Sequence, residues 1–268
     1  MVSFLHFSDI HIPDKRGDLW YKIDPFQKLD NLIEYTRTLQ LTPDFTIITG
    51  DLSHTGTTQS YNHVKKFISK LETLGGPVFP TMGNHDKQSN FSKILLGKPS
   101  HQRDSPCYYS KTIEGLHVIA MDSHTSESQI GSLTEKQLDW LESELREHTN
   151  KRTIIAFHNP IYFFGELGLF KKEDALRFLD IVSAGNVLAV LNGHMHCPWY
   201  TIHDGVYYVQ AGSPLWTNYY TETGKETTYD SSSFNFLDYH KDYPNRLMVR
   251  PVYFSKGQRL VDKTNGNL

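Results

Sequence analysis

Short apolar runs recur along the chain, and each ends at a cluster of aspartate, asparagine, histidine or glycine. Phe4–Ser8, Phe45–Thr49, Val78–Thr81, Thr153–Phe157 and Val187–Asn192 have the length and the bounding residues of β-strands. Between them the apolar period changes. Phe26, Leu29, Leu32, Ile33 and Leu39 fall at helical spacing between Pro25 and Gln40, and so do Val64, Phe67, Ile68, Leu71 and Leu74 between Tyr61 and Leu74. Gly75-Gly76-Pro77 stops the second helix. Thr134 with Gln137 has the spacing of a capping box and opens a helix that turns Leu138, Trp140, Leu141 and Leu145 inward. Lys172–Ser183 repeats the pattern. Strands alternating with helices predict βαβ units and an α/β domain.

The remaining segments are less regular. Cys107–Lys111 and Leu116–Asp122 read as strands paired around Glu114-Gly115. Thr201–His203 and Tyr207–Gln210 read as a hairpin turned by Asp204-Gly205. After Gly212-Ser213-Pro214 the periodicity fades, which predicts an irregular lid or appendage over 214–246 and a final strand at Leu247–Phe254. The expected organisation is one domain over 1–268 with its core in 1–213.

A chain of 268 residues can bury a sizeable core, and 38% hydrophobic with 21% charged residues is ordinary for a soluble enzyme. The net charge of −3 and basic runs no longer than Lys65-Lys66 or Lys171-Lys172 offer no footprint for nucleic acid. Cys107 and Cys197 are the only cysteines, which excludes thiolate zinc sites. The first residues lack a basic n-region and a long apolar core, and no segment approaches the ~18 apolar residues of a membrane span. A reduced, cytoplasmic enzyme is the expectation.

The chemistry stands just beyond the strands. Asp9-Ile10-His11, Gly50-Asp51, Gly83-Asn84-His85-Asp86, His158-Asn159-Pro160 and Gly193-His194-Met195-His196 each follow one of the five runs. Ligands of open α/β sheets bind outside the carboxyl ends of the strands. Aspartate, asparagine carbonyl and histidine suit borderline Mn, Fe or Zn, whereas Mg or Ca would call for oxygens alone. Asp9 and His11 are two apart and point the same way on an extended strand end, as do His194 and His196. Glycines 50, 83 and 193 let the backbone turn sharply beside the ligands.

In this order and at this spacing, over residues 4 to 213, the motifs resemble the calcineurin-like metallophosphoesterase superfamily. Gly50-Asp51-Leu52, the Tyr61 helix, Gly83-Asn84-His85-Asp86 and Gly131-Ser132-Leu133-Thr134 through Trp140-Leu141 look closest to bacterial class III cyclic nucleotide phosphodiesterases. The resemblance implies the metallophosphoesterase fold, two mixed β-sheets packed as a sandwich and flanked by α-helices. It implies one metal on Asp9, His11, Asp51 and His196 and a second on Asp51, Asn84, His158 and His194, with Asp51 bridging. His85 would be the acid near the leaving oxygen. The implied reaction is hydrolysis of a small phosphoester, with cyclic nucleotides first among the candidates, by attack of a hydroxide bridging the two metals.

Related chains commonly carry an aspartate three positions after that of Gly-Asp, paired with the active-site histidine; here the position is His54, followed by Thr55-Gly56. Asp86 or a bound substrate is left to hold His85, and the missing basic residue argues against a protein phosphatase. His54 is poised between a site role and an ordinary loop. His6, His63, His101, His117, His124, His148, His203 and His240 are expected to be surface or hydrogen-bonded structural residues, and Cys197 a small buried filler. Tyr219 and Tyr220 are open between base stacking and packing, and 163–170 with 216–243 are the expected pocket walls. A phosphomonoesterase or glycerophosphodiesterase on the same metals, a non-catalytic scaffold of the same fold and a homodimer all remain open.

Overall fold

The computed structural model describes residues 1–99, 107–125, 129–163, 166–167, 169–221, 226–254 and 258–263. The chain runs through β1 (Val2–Phe7), α1 (Pro25–Thr38), β2 (Phe45–Thr49), α2 (Thr58–Glu72), β3 (Val78–Thr81) and the short α3 (Gln88–Asn90), which passes into a π-helical turn at Phe91–Leu95. It continues through β4 (Tyr109–Ile113), β5 (Leu116–Ala120), α4 (Glu135–Glu147), β6 (Thr153–Ala156), the two-residue β7 (Tyr162–Phe163) and β8 (Glu166–Leu167), α5 (Lys172–Ala184) and β9 (Val187–Asn192). The last part is all strand: β10 (Trp199–His203), β11 (Val206–Gln210), β12 (Thr217–Tyr220), β13 (Glu226–Asp230), β14 (Ser233–Tyr239), β15 (Leu247–Tyr253) and β16 (Gln258–Lys263).

Two mixed sheets carry the architecture. The first has the order β15-β14-β1-β2-β3, the second β10-β11-β9-β6-β5-β4. Strands β1, β2 and β3 are parallel, as are β5, β6, β9 and β11. The outer strands β15, β10 and β4 are antiparallel to their neighbours, whereas the edge strand β3 is parallel to β2. Alternation along each strand sends side chains to two cores. Phe4, stacked on Phe45 at 4.7 Å between centroids, packs between the sheets with Ile47, Val118, Ile154 and Leu191. Leu5, Phe7 and Ile48 face the other way, against Leu29, Leu32 and Ile33 of α1 and Val64, Phe67 and Leu71 of α2. Ile119, Ile155 and Val190 meet Leu138, Leu141 and Leu145 of α4 and Phe178, Ile181 and Val182 of α5. The result is a helix–sheet–sheet–helix sandwich, as the motifs imply.

Side chains cap three of the helix starts, of which the sequence signals only Thr134. Asp24 accepts from the amides of Phe26 and Gln27 at the start of α1, and Thr57 from that of Ser60 in α2. Thr134 caps α4 through the amide of Gln137, but the box is only half made. The Gln137 side chain instead turns inward and bonds both the amide and the carbonyl of Asp122, fixing the exit of β5.

The 214–246 region, expected as an irregular lid or appendage, is built of regular strands. It contains β12, β13 and β14. β14 lies antiparallel to β1 from Asn235 to Tyr239, and β12 and β13 form a small separate sheet with β16. No helix among the described residues is long and apolar enough to cross a membrane.

His6 is fully buried on β1, with Nε2 3.0 Å from Thr49 Oγ1. Burial, only partly offset by the charge of Asp9, pulls its pKa down to about 3. In the unfolded chain the imidazole takes up a proton as pH falls through its ordinary range, while the folded chain does not follow until far lower. The stability associated with neutral His6 is therefore intact at neutral pH and is lost as pH falls below that of an unfolded histidine. Urea titrations of metal-free protein should show unfolding free energy falling by more than about 1 kcal/mol between about pH 7.5 and pH 5. His6→Gln, which keeps a donor for Thr49, should lose distinctly less over the same interval; an equal loss would acquit His6.

Candidate metal centre

Five of the predicted site residues adopt left-handed backbone although none is glycine. Asp9 has φ 56°, His11 37°, Asp51 49°, His194 74° and His196 52°. Each such residue is disfavoured by roughly 1–3 kcal/mol, and such residues gather where function over-determines the backbone. Here the strand ends hold one another in place: the amides of Asp9 and His11 donate to the carbonyls of Gly50 and Asp51 at 3.1 and 2.9 Å, and that of His194 to Asp9 Oδ2 at 2.9 Å. Of the three glycines expected to permit sharp turns, only Gly50 needs its φ of 85°. Gly83 and Gly193 are required by close approach, since a Cβ would stand 2.3 Å from the Asp51 amide nitrogen and 1.7 Å from Ser8 Oγ, respectively.

These turns converge seven side chains. His196 Nε2 lies 3.2 Å from Asp9 Oδ1 and 3.1 Å from His11 Nε2. His158 Nε2 and His194 Nδ1 are 3.1 Å apart, and each is 3.0 Å from Asn84 Oδ1. Asp51 stands between the two groups, with Oδ2 3.6 Å from His11 Nε2 and 3.5 Å from His158 Nε2. Asp9, His11 and His196 can hold one cation, and Asp51, His158 and His194 another. The donor arrangement fits metals rather than mutual hydrogen bonding. Asp9 Oδ1 is buried without a hydrogen bond. His158 Nδ1 donates to the carbonyl of Thr49 at 2.7 Å, so neutral His158 aims a lone pair inward beside those of its neighbours. Mixed imidazole, carboxylate and amide oxygen donors suit divalent transition metals.

The model of the calcineurin-like phosphoesterase family matches residues 2–198. The chain belongs to that family. A probable cyclic nucleotide phosphodiesterase of Rhodococcus erythropolis is 32% identical over 72% of this chain and 64% of its own length. The cAMP/cGMP dual specificity phosphodiesterase of Mycobacterium tuberculosis is 28% identical over 72% of this chain and 61% of its own. The chain thus spans less than two thirds of these relatives. A probable glycerophosphodiester phosphodiesterase of Arcobacter nitrofigilis is 27% identical over 77% of this chain and 76% of its own length. Among solved structures, a purple acid phosphatase from yellow lupin seeds superposes with a TM-score of 0.66 at 14% identity, over 96% of this chain and 52% of that one. A Plasmodium protein described as the anchor in the inner membrane complex gives 0.57 at 13% identity, over 92% and 87%. These likenesses show the fold.

Calcineurin-like phosphoesterases are dinuclear metal enzymes, and this member carries donors for two ions. Their electrostatics are coupled. Burial opposes the charge of His158, but the Asp51 carboxylate, with Asp9 and the Thr49 carbonyl, outweighs it and raises the imidazole to about 9. Burial, reinforced by His158, pulls His194 down to about 4. A cation would take the place of the proton that these groups otherwise contend for.

Around the donors lies a cleft of ≈ 390 Å³ lined by Trp20, Tyr21, His54, His85, Trp216 and Asn218 among others. His85 donates Nδ1–H to the carbonyl of His54 at 3.0 Å, and its own amide bonds Asp51 Oδ1 at 2.8 Å. The backbone of residue 54, not a carboxylate, thus orients His85. Asp86 is not its partner. That carboxylate is turned into the core, where it accepts from the amides of Leu52, Ser53 and Gly83 and from Tyr61 Oη. Burial and then the charge of Asp51 push it up to about 6.

Trp216 stacks on His196 at 4.7 Å and His11 at 5.4 Å, in keeping with a wall beyond residue 216. Tyr219 is exposed, whereas Tyr220 turns toward the carbonyl of Met195. Phe170 is buried against Phe157 rather than in the wall, and the side chains of 163–168 lie outside the described residues. Trp20 and Tyr21 went unread because two aromatics in a polar stretch carry no periodic signal. Cys197 is only partly buried, His6 and His117 are buried structural residues, and His101 lies outside the described residues.

Asp86→Ala should destabilise the protein by about 3 kcal/mol or more, because four buried donors lose their acceptor together. Equilibrium urea unfolding measures this. A loss within a few tenths of a kcal/mol would mean that water satisfies those donors.

Proposed function

We propose that this chain is a dinuclear metal-dependent phosphodiesterase, with cyclic nucleotides as the leading substrates. The carrying observation is Asp51, whose Oδ2 sits nearly equidistant from His11 Nε2 and His158 Nε2, where one carboxylate can serve both ions. Two such cations supply positive charge for phosphoryl oxygens and lower the pKa of bound water. The chain's own residues do the rest. Asp9, His11 and His196 would hold one ion, Asn84, His158 and His194 the other, and Asp51 would serve both. His85 keeps its Nδ1 proton on a fixed carbonyl, so its orientation is set, and in its charged form it delivers the Nε2 proton to the departing oxygen. The walls of Trp20, Tyr21 and Trp216 suit a flat, partly apolar leaving group.

The names of two relatives support diesters carrying a nucleoside. A second reading, glycerophosphodiesters, is favoured by the Arcobacter relative, which this chain matches over the largest share of the three. The complete donor set weighs against a metal-free scaffold.

The test is a phosphoester panel on Mn- or Zn-loaded protein, comparing 3′,5′- and 2′,3′-cyclic nucleotides, glycerophosphodiesters and monoesters. We expect two equivalents of metal and a preference for a cyclic diester, with Asp51→Ala losing both ions and turnover. Metal-loaded protein inert on the whole panel would sink the enzymatic reading, and near-normal metal content in Asp51→Ala would refute the bridge.

His85→Ala should keep its metals while turnover falls ~10²–10⁴-fold on substrates with poor leaving groups. The loss should shrink for a nitrophenyl diester, whose leaving group needs little protonation. Equal losses on both would assign His85 to phosphate positioning instead.

A further inference from the structure

His11 presents two nitrogens to two different surroundings. Nε2 faces the cluster, 3.1 Å from His196 Nε2 and 3.6 Å from Asp51 Oδ2. Nδ1 faces the other way and meets His54 Nδ1 at 3.4 Å. If Nε2 gives its lone pair to a cation, the neutral imidazole must carry its proton on Nδ1, and that proton needs an acceptor. For His158 the acceptor is the carbonyl of Thr49. For His11 the group in that position is the ring of His54.

His54 is held for such a role from several sides. Its amide donates to the carbonyl of Ile12 at 3.1 Å, which ties the loop after β2 to the segment carrying His11. Ser53 Oγ accepts from the amide of Gly56 at 2.7 Å and tightens the same loop. Trp20 lies over the His54 ring at 3.8 Å between centroids, while its Nε1–H donates to the carbonyl of His11 at 3.1 Å. One indole therefore positions both members of the pair. The ring of His85 closes the other side at 4.9 Å.

We infer that His54 is a positioning residue for the metal centre: its Nδ1 lone pair accepts the Nδ1–H of His11, fixing the tautomer and orientation in which His11 Nε2 binds metal. This rests on the dinuclear reading above. His54 then carries its own proton on Nε2, and its carbonyl separately holds His85. The ring and the backbone of one residue thus orient a metal ligand and the candidate acid.

Zinc binding to wild type, His54→Ala and His54→Asn, followed by competition with a chromogenic chelator, tests the inference without reference to turnover. Two equivalents should bind wild type. His54→Ala should weaken one of them ~10–100-fold, the usual effect of removing an outer-shell partner, and leave the other within a few-fold. His54→Asn, whose amide oxygen can accept from Nδ1–H, should recover most of the loss. Unchanged affinity in His54→Ala, or equal losses in Ala and Asn, would overturn the inference while leaving the dinuclear reading intact. Failure of the wild type to bind two ions would overturn the dinuclear reading itself. Should His54→Ala fail to fold, ¹⁵N shifts of the zinc-loaded wild type decide. A proton on His11 Nδ1 and on His54 Nε2 supports the pairing, and the opposite arrangement removes it.

Discussion

The Asp51 carboxylate is the constraint around which the rest of this molecule is arranged. It is buried between imidazoles from both sheets, and its second oxygen accepts the amide of His85. An ionised carboxylate in a low-dielectric interior is tolerable only with opposite charge and donors close on every side. The two sheets meet that demand jointly. The first sends Asp9, His11 and Asn84 to the site, and the second sends His158, His194 and His196. Neither sheet alone carries a complete donor set, so the site forms only where both strand ends come together.

That requirement explains the local backbone. Asp9 and His11, like His194 and His196, are two residues apart, but they do not lie on the extended strand ends that their spacing suggests. Left-handed residues immediately beyond β1, β2 and β9 break the alternation and aim Asp9, His11, Asp51, His194 and His196 at a common centre. The unfavourable torsions are offset by amide-to-carbonyl bonds between the strand ends and by two glycines whose absent side chains leave room for them.

The centre was legible in the sequence because each donor stands within a few residues of an apolar run, so strand detection located the ligands. The helices were legible from spacing and, for α4, from its Thr134 cap. What escaped the sequence was whatever depended on distant partners. β12 and β13 are rich in threonine and tyrosine, which favour strands, but they lack an apolar face because their small sheet packs outside the main core. β14 does alternate, with Phe234 and Phe236 on one side and Leu237 and Tyr239 partly on the other, a signal masked by the irregular residues before it. The placement of His54 could not be read either, since it follows from Trp20 folding back over the loop. Gln137 shows the limit of local motifs: its backbone obeys the capping rule while its side chain serves the end of β5.

The position of β14 has a consequence for how the protein comes into being. It fills the place beside β1, pairing Ser3 with Asp238 across most of the sequence, and Ser213 from just upstream bonds the carbonyl of Asp9. On the ribosome, β1 is made before β14, and its open edge must wait through the 235 positions that separate Ser3 from Asp238. Closing so long a loop is entropically slow. Until then an apolar strand with unpaired amides is exposed to other chains. The strand that leads into Asp9 and His11 thus keeps one edge unpaired until β14 exists.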